Sequence, residues 1–473
     1  MVARGPRFDE SEKSNPQAPI LDRRGMTQNP VLAIVLAAGK GTRMKSDIPK
    51  VMHAIAGAPM LVHVLNAAKG AEVGEICVVV GPGMDEVAGA AKSADAHRQV
   101  FVQAEQRGTA DAVKAAQGAF DGFAGPVIIL YGDTPLLRAE TIGRLSSELA
   151  NGADIVVVSF EADDPTGYGR LLLDAGGTLV GIREEKDASP PESAIKLCNS
   201  GIMGFGSGKT LTDLLARIGN ANAKGEFYLT DAIALAHSDG LDTRMLPGDA
   251  DEVLGVNSRA ELAQAEAAMQ QRLRDKVMAE GATLVAPETV FLSHDTRIGK
   301  DVLIEPNVII GPGVVIEDGA TIRGFCHFVD SHIGPKAEIG PFARLRPGAD
   351  LGPSTKVGNF VEIKNSEIAE GAKVPHLTYV GDSSVGARAN IGAGTITCNY
   401  DGVAKHRTEI GAGAFIGSNT SLVAPVKIGE GAYVGSGSVI SKDVSPDALA
   451  LTRAPQEERP GWAARFRKRR DPK

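Results

Sequence analysis

A period of six residues dominates the C-terminal part of the chain. Ile298, Ile304, Ile310, Ile316 and Ile322 are each six apart. Ile333, Ile339, Leu345, Leu351, Val357 and Ile363 keep that spacing, and so do Ile410, Ile416, Leu422, Ile428, Val434 and Ile440. A helix repeats about every 3.6 residues and a strand about every 2, so neither produces such a pattern. A parallel β-helix does: each hexad is one short strand plus a turn, and its aliphatic residue points into a narrow interior. Gly often follows that residue, as at Ile298-Gly299, Ile339-Gly340 and Ile416-Gly417. It supplies a turn conformation that a Cβ would block. The phase slips between 363 and 368 and between 380 and 385, and it breaks over 397–409, where a loop is expected to leave the coil. Composition agrees, with 56 Gly in 473 residues and only 4% aromatics. Such a core must be built from Ala, Val, Ile and Leu.

Residues 30–257 read differently. Strand candidates at Val31–Leu36, Ile76–Val80, Gln99–Val102, Val127–Tyr131 and Asp154–Phe160 alternate with helix candidates at Val51–Lys69, Thr109–Gln117 and Ala139–Leu149. That alternation predicts an α/β domain with a mainly parallel sheet. Ligands of such sheets sit beyond the carboxyl ends of the strands, which directs attention to the loops after Leu36 and Tyr131. Residues 258–281 read as a connecting helix, with Ser258 and Glu261 as a capping box and Leu262, Met269, Leu273 and Val277 on one face. The β-helix is expected over 282–458, followed by a basic tail over 459–473 that reads as a solvated terminus. Residues 1–29 are polar and charged and are expected to be a disordered extension, with Met26 as an alternative start.

Several classes are excluded. The net charge is -8, from 50 basic and 58 acidic residues, which demands no nucleic-acid partner. A membrane span needs about 20 apolar residues, and the longest apolar runs here are far shorter. Cys77, Cys198, Cys326 and Cys398 are scattered without a CxxC pair, so free thiols and a cytoplasmic location are expected.

Two sets of residues carry chemistry. In the first, Leu36-Ala37-Ala38-Gly39-Lys40-Gly41-Thr42-Arg43-Met44 follows the first strand, and Pro49-Lys50 comes soon after. Gly39 and Gly41 would let backbone N–H groups approach phosphates, and Arg43 and Lys50 supply charge. Tyr131-Gly132-Asp133 ends the most apolar strand, where a carboxylate can hold Mg²⁺. An ordinary βα turn and an Asx turn would explain either segment alone. In the second set, Arg346, Lys364, His376, Tyr379, Asn390 and Asn399 stand in the β-helix at places where a structural hexad needs neither charge nor imidazole.

The motif L-x-x-G-x-G-T-R-M with P-K, then Q-A-E-Q-x-G-T at 103–109, then Y-G-D, resembles the sugar-1-phosphate nucleotidyltransferases. With the hexad repeats, the chain resembles the bacterial bifunctional N-acetylglucosamine-1-phosphate uridylyltransferase/glucosamine-1-phosphate N-acetyltransferases over about 31–462. The resemblance implies a Rossmann-like nucleotidyltransferase domain followed by a left-handed parallel β-helix. It implies acetyl transfer from acetyl-CoA to glucosamine-1-phosphate, then UMP transfer from UTP to give UDP-N-acetylglucosamine for peptidoglycan and lipopolysaccharide synthesis. It also implies a homotrimer.

By that resemblance the nucleotide site comprises Leu36, Ala37, Ala38, Gly39, Lys50, Gln103, Gly108, Thr109, Tyr131 and Gly132, with Gln103 as the reader of uracil. Arg43 and Lys50 would hold the triphosphate, and Asp133 and Asn257 the Mg²⁺. Gly169, Glu184 and Asn199 would contact the sugar, with Glu185 as the alternative to Glu184. In the acetyltransferase site His376 would be the general base, with Glu362 orienting its ring. Arg346, Lys364, Tyr379 and Asn390 would bind glucosamine-1-phosphate. Acetyl-CoA would lie along Ala393, Asn399, Tyr400, Ser418, Ser436 and Arg453, with Asn399 also completing the sugar site. Two other readings compete: a nucleotidyltransferase whose β-helix only oligomerises, and a non-enzymatic descendant. The first has no use for His376, Lys364, Tyr379 and Asn390. The second predicts erosion of Arg43, Lys50, Asp133 or Asn257, and all four are present.

Overall fold

The computed structural model describes residues 30–470. The expected extension over 1–29 lies outside the described residues. The described residues form two compact units, one from 30–55 with Pro59–Ala265, the other from Ala56–Ala58 with 266–470. Among the described residues no helix is long and apolar enough to cross a membrane.

The first unit is built on a nine-stranded sheet. Its strands are β1 (Leu32–Leu36), β2 (Glu75–Val80), β3 (Gln99–Val102), β4 (Val127–Tyr131), β5 (Ile155–Glu161), β6 (Gly169–Leu173), β7 (Leu179–Arg183), β8 (Leu197–Phe205) and β9 (Thr243–Pro247). They are ordered β9-β5-β8-β4-β1-β2-β3, with β6 paired to both β8 and β7. β1 runs parallel to β2 and β4, and β8 runs antiparallel to β4 and β5. Period-2 alternation puts Leu32, Ile34 and Leu36 into one core and Ala33 and Val35 into another. The first core also takes helices α3 (Thr109–Ala115), α5 (Gly208–Leu215) and α6 (Asp231–Ser238). The second takes α1 (Met60–Gly70), α2 (Asp85–Ala94) and α4 (Ala139–Ala150). Helices on both faces bury a parallel sheet, which is why β1 and β4 are almost unbroken aliphatic runs.

The helix expected over 51–69 is shorter in fact. A 3₁₀ turn at Lys50–Met52 stops before Ala56 and Gly57, which take φ of 44° and 78°, and α1 starts only at Met60, after Pro59. Helix α7 (Arg259–Ala279) fills the expected connector. Its cap differs from a capping box: Ser258 Oγ accepts from the Glu261 N–H at 3.3 Å, but Glu261 Oε2 accepts from the Asn257 N–H at 2.6 Å. Its buried positions also differ, for they are Ala265, Gln270, Arg274 and Val277, and Leu262 and Met269 are only half-buried. Gln270 is admitted because its amide bonds both the N–H and the C=O of Leu292, at 2.8 and 2.7 Å.

The second unit is a left-handed parallel β-helix. Every aliphatic residue of the three hexad series is buried. Strands pair in parallel with the coil below, Ile310 with Phe328 and Ile339 with Val357. Where the phase slips, the partner comes one residue sooner, as for Glu362 with Tyr379. Between Ile396–Cys398 and Thr408–Ile410 the chain leaves the coil, closed by a bridge between Tyr400 and Lys405. All four cysteines are free thiols. Part of the basic tail forms a helix, Trp462–Arg470.

Candidate active sites

A cavity of about 600 Å³ opens in the first unit beyond the carboxyl ends of β1 and β4. Leu36, Ala37, Ala38, Gly39, Arg43 and Lys50 form one wall, and Gln103, Gly108 and Thr109 another. Tyr131, Asp133 and Asn257 also line it, as do Gly169, Glu184 and Asn199. Gly132 is the exception: its N–H bonds Leu36 O at 2.9 Å, and a Cβ there would meet that oxygen at 3.3 Å. Its role is close packing of β4 against β1. Gly41 also does something other than line the wall. Its φ is 62°, and a Cβ would fall 2.5 Å from Lys50 Cβ, so a bare backbone lets Lys50 pass.

Lys50 Nζ forms an ion pair with Asp133 and a 3.1 Å hydrogen bond to Asn257 Oδ1. The Val256 N–H bonds Asp133 O at 2.9 Å, and Glu261 holds the Asn257 N–H, so the backbone fixes both oxygen donors relative to each other. Two hard oxygens converging on a cationic group fit Mg²⁺, which takes one or two protein ligands and completes its shell with phosphate and water. Among the described residues no group of three or more His, Cys, Asp or Glu side chains could hold a metal ion.

The wall that carries Gly108 and Thr109 is held by the segment 226–231. Phe227 N bonds Arg107 O, Phe227 O accepts from Ala110 N, and Leu229 N donates to Thr109 Oγ1 at 2.9 Å. Gly108 has φ 119°, and a Cβ there would lie 2.5 Å from Phe227 O. Glu184 faces the cavity and accepts from Thr230 Oγ1 at 3.0 Å; burial raises its pKa, and that hydrogen bond opposes the rise. Glu185 instead pairs at 2.7 Å with Arg170, which is fully buried. Lining residues to which the motifs assigned no role include Gln106 of Q-A-E-Q-x-G-T, whose amide bonds Ala38 O, and Tyr228, whose hydroxyl is buried.

The second group of candidates lies on the β-helix. Strands Lys356–Asn359 and Lys373–His376 pair with Asn359 opposite His376, and His376 Nδ1 sits 2.5 Å from Asn359 Oδ1. The expected partner Glu362 is engaged elsewhere, accepting from Arg346 Nη1 at 2.8 Å and facing Arg344 at 3.5 Å. Register explains the correction, since Glu362 lies opposite Tyr379 on the next side of the prism. Asn390 lies beside Lys373, which lies beside Lys356, so Asn390 stands two coils beyond Lys356. The edge that carries His376 continues from coil to coil. Gly394 N bonds His376 O, Asn419 N bonds Ala393 O, Gly437 N bonds Ser418 O, and Arg453 Nη1 bonds Ser436 O at 2.7 Å. Ala393, Ser418, Ser436 and Arg453 therefore stack along one edge leading away from His376.

Arg346, Lys364, Tyr379 and Asn399 form a cluster of their own. Asn399 Nδ2 reaches the Tyr379 hydroxyl at 3.4 Å and also bonds Asp382, which accepts from Asn365 at 2.6 Å. Lys405, from the extruded loop, meets Lys364, and the neighbouring ammonium lowers its pKa. The Asp382 carboxylate interacts with both ammonium groups. Lys405 was not legible as a site residue, because it occupies no hexad position. Tyr400 is exposed in the same loop and donates to Gly402 O at 2.7 Å.

Residues 33–190 match the MobA-like NTP transferase domain. Residues 295–328 and 407–442 match the bacterial transferase hexapeptide of six repeats. A bifunctional protein GlmU from Bradyrhizobium sp. (strain ORS 278) is 56% identical over 93% of this chain and 98% of its own length. That from Azorhizobium caulinodans is 57% identical over the same shares. That from Rhodospirillum rubrum is 59% identical over 92% of this chain and 97% of its own. With its nucleotidyltransferase fold, its β-helix and these relatives, the chain belongs to the family of bifunctional GlmU proteins.

Proposed function

We propose that the chain makes UDP-N-acetylglucosamine in two steps, with the acetyl step on the β-helix and the uridylyl step in the sheet cavity. The carrying observation is the pairing of the Lys50, Asp133 and Asn257 cluster with the Asn359-held His376 in one chain. In the first step His376 Nε2 takes a proton from the amine of glucosamine-1-phosphate, which is largely protonated near neutral pH. The amine attacks the thioester carbonyl and CoA leaves. Arg346, Lys364 and Lys405 hold the sugar phosphate, while Tyr379, Asn390 and Asn399 orient the ring. Acetyl-CoA follows the edge from Ala393 past Ser418 and Ser436 to Arg453, and the Ala393 N–H faces the thioester oxygen.

In the second step a phosphate oxygen of N-acetylglucosamine-1-phosphate attacks the α-phosphorus of UTP, and pyrophosphate leaves. That oxygen is ionised at neutral pH, so no general base is needed and alignment of two anions dominates. Arg43 and Lys50 supply positive charge to the phosphates, Gln103 contacts uracil, and Glu184 and Asn199 hold the sugar. Asp133 and Asn257 would hold Mg²⁺, which when bound neutralises charge developing on the phosphates.

The same reading makes the protein a cytoplasmic homotrimer, with domains that follow the two units. Its support is a ladder of exposed rings at one corner of the β-helix: Phe325, Phe342 and Phe360 stack at 4.9 and 5.0 Å. A monomer rarely leaves such a strip to solvent. Supplying glucosamine-1-phosphate, acetyl-CoA, UTP and Mg²⁺, then omitting each in turn, tests the assignment. UDP-N-acetylglucosamine must require all of them, and CoA release must require only the first two. Sedimentation of a fully active monomer would contradict the trimer.

A further inference from the structure

We infer that Asp111 fixes the polarity of the Gln103 amide and so decides which pyrimidine the nucleotide site accepts. The inference rests on the reading of Gln103 as the contact to uracil. Gln103 is 4% exposed and lines the cavity at the end of β3. Behind it, Nε2 donates to Asp111 Oδ2 at 2.8 Å and to Gly108 O at 3.1 Å. A carboxylate and a carbonyl can only accept, so the NH₂ end of the amide must face them. The carbonyl end, Oε1, is left for the cavity. Asp111 itself does not line the cavity; it stands in the first turn of α3. Arg107 steadies it, with its backbone N–H 3.4 Å from Oδ2 and Nη2 3.4 Å from Oδ1.

An outward Oε1 accepts a hydrogen bond and donates none. Uracil offers an N3–H that matches it. Cytosine offers a bare N3, which would face Oε1 as a second acceptor with no proton between them. A site built to bond one edge of a base rejects an analogue that leaves its buried polar groups unpaired. Were the amide reversed, its NH₂ would meet the cytosine N3 and the preference would turn. Of the two acceptors behind Gln103, Asp111 is the charged one, and charge-assisted hydrogen bonds are about twice as strong as neutral ones. Asp111 is thus a positioning residue that acts through Gln103.

The test uses the full chain with N-acetylglucosamine-1-phosphate and Mg²⁺, measuring kcat and KM for UTP and for CTP. Asp111→Leu should raise KM for UTP at least about 10-fold while kcat stays within about 3-fold. It should lower the UTP-to-CTP ratio of kcat/KM by at least about 10-fold. Asp111→Asn, which keeps an acceptor oxygen, should recover most of that ratio. An unchanged ratio in Asp111→Leu, or equal losses with both nucleotides, overturns the inference. So does Asp111→Asn behaving like Asp111→Leu. Gln103→Leu separates the inference from the reading beneath it. If that variant leaves the ratio unchanged, Gln103 does not read the base. If it lowers the ratio while Asp111→Leu does not, only the role of Asp111 falls.

Discussion

Replacing Asn359 by alanine should slow acetyl transfer about 5- to 10-fold without touching uridylyl transfer. The magnitude comes from one contact, the 2.5 Å approach of Asn359 Oδ1 to His376 Nδ1. An accepting oxygen there keeps the proton on Nδ1 and leaves the Nε2 lone pair to act as base. Losing one such hydrogen bond costs about 1 kcal/mol and lets the ring exchange tautomers. That is a smaller effect than the roughly 100-fold or more expected when a general base is removed outright. Asn359→Asp gives a sharper readout. It keeps the acceptor but adds a negative charge, which favours the charged form of the ring. The acid limb of kcat/KM for acetyl transfer should therefore move to higher pH. Thiol release from acetyl-CoA, followed across pH, measures both variants, with uridylyl transfer by the same preparations as the folding control. An unchanged rate in Asn359→Ala together with an unmoved acid limb in Asn359→Asp would refute the assignment.

Other consequences are equally open to measurement. Gly108→Ala should raise KM for UTP and destabilise the first unit, because a Cβ would meet Phe227 O at 2.5 Å at a φ of 119°. Strain of that kind costs about 1–3 kcal/mol, and thermal unfolding with an unchanged midpoint would contradict it. His332 lies between Asp350 at 2.7 Å and Glu317 at 3.0 Å. Burial lowers its pKa, but the two carboxylates outweigh burial and raise it overall. A raised pKa means stabilisation that is complete below the unfolded value of about 6.5 and is lost as pH rises through the folded value. The side chain is 40% exposed, so the gain is screened to about 1 kcal/mol or less. His332→Gln should flatten that part of the stability–pH curve, and an identical curve in the variant would remove His332 as its source.

How much of the chain is legible in its sequence depends on how local each constraint is. Ile304, Ile339 and Ile416 each have to fill one rung of a narrow interior, so the hexad period and its slips are visible in sequence and all three are buried. The motif loops are legible because a strand end such as Leu36 or Tyr131 fixes where the adjoining loop residues stand. Side-chain partners are not, since they depend on register between coils. Asn359, not the expected Glu362, stands beside the imidazole, because the slip sets Asn359 opposite His376 while Glu362 is paired with Arg346. The helix expected over 51–69 is too long because its apolar residues hide the positive φ at Ala56 and Gly57. The stripe expected on α7 differs because Gln270 and Arg274 offset their burial by bonding backbone groups of Leu292 and Val290.

The central claim is that one chain carries two separate active sites joined by a released intermediate, and mixing two variants tests it. Asp133→Ala and His376→Ala are each supplied with glucosamine-1-phosphate, acetyl-CoA, UTP and Mg²⁺. Alone, the first should release CoA but form no UDP-N-acetylglucosamine, and the second should fall at least about 100-fold in both products. Mixed as preformed proteins, the two should restore UDP-N-acetylglucosamine to a rate near that of the unmodified chain. No product from the mixture, with both proteins folded, would contradict separate sites, and so would full activity in either variant alone.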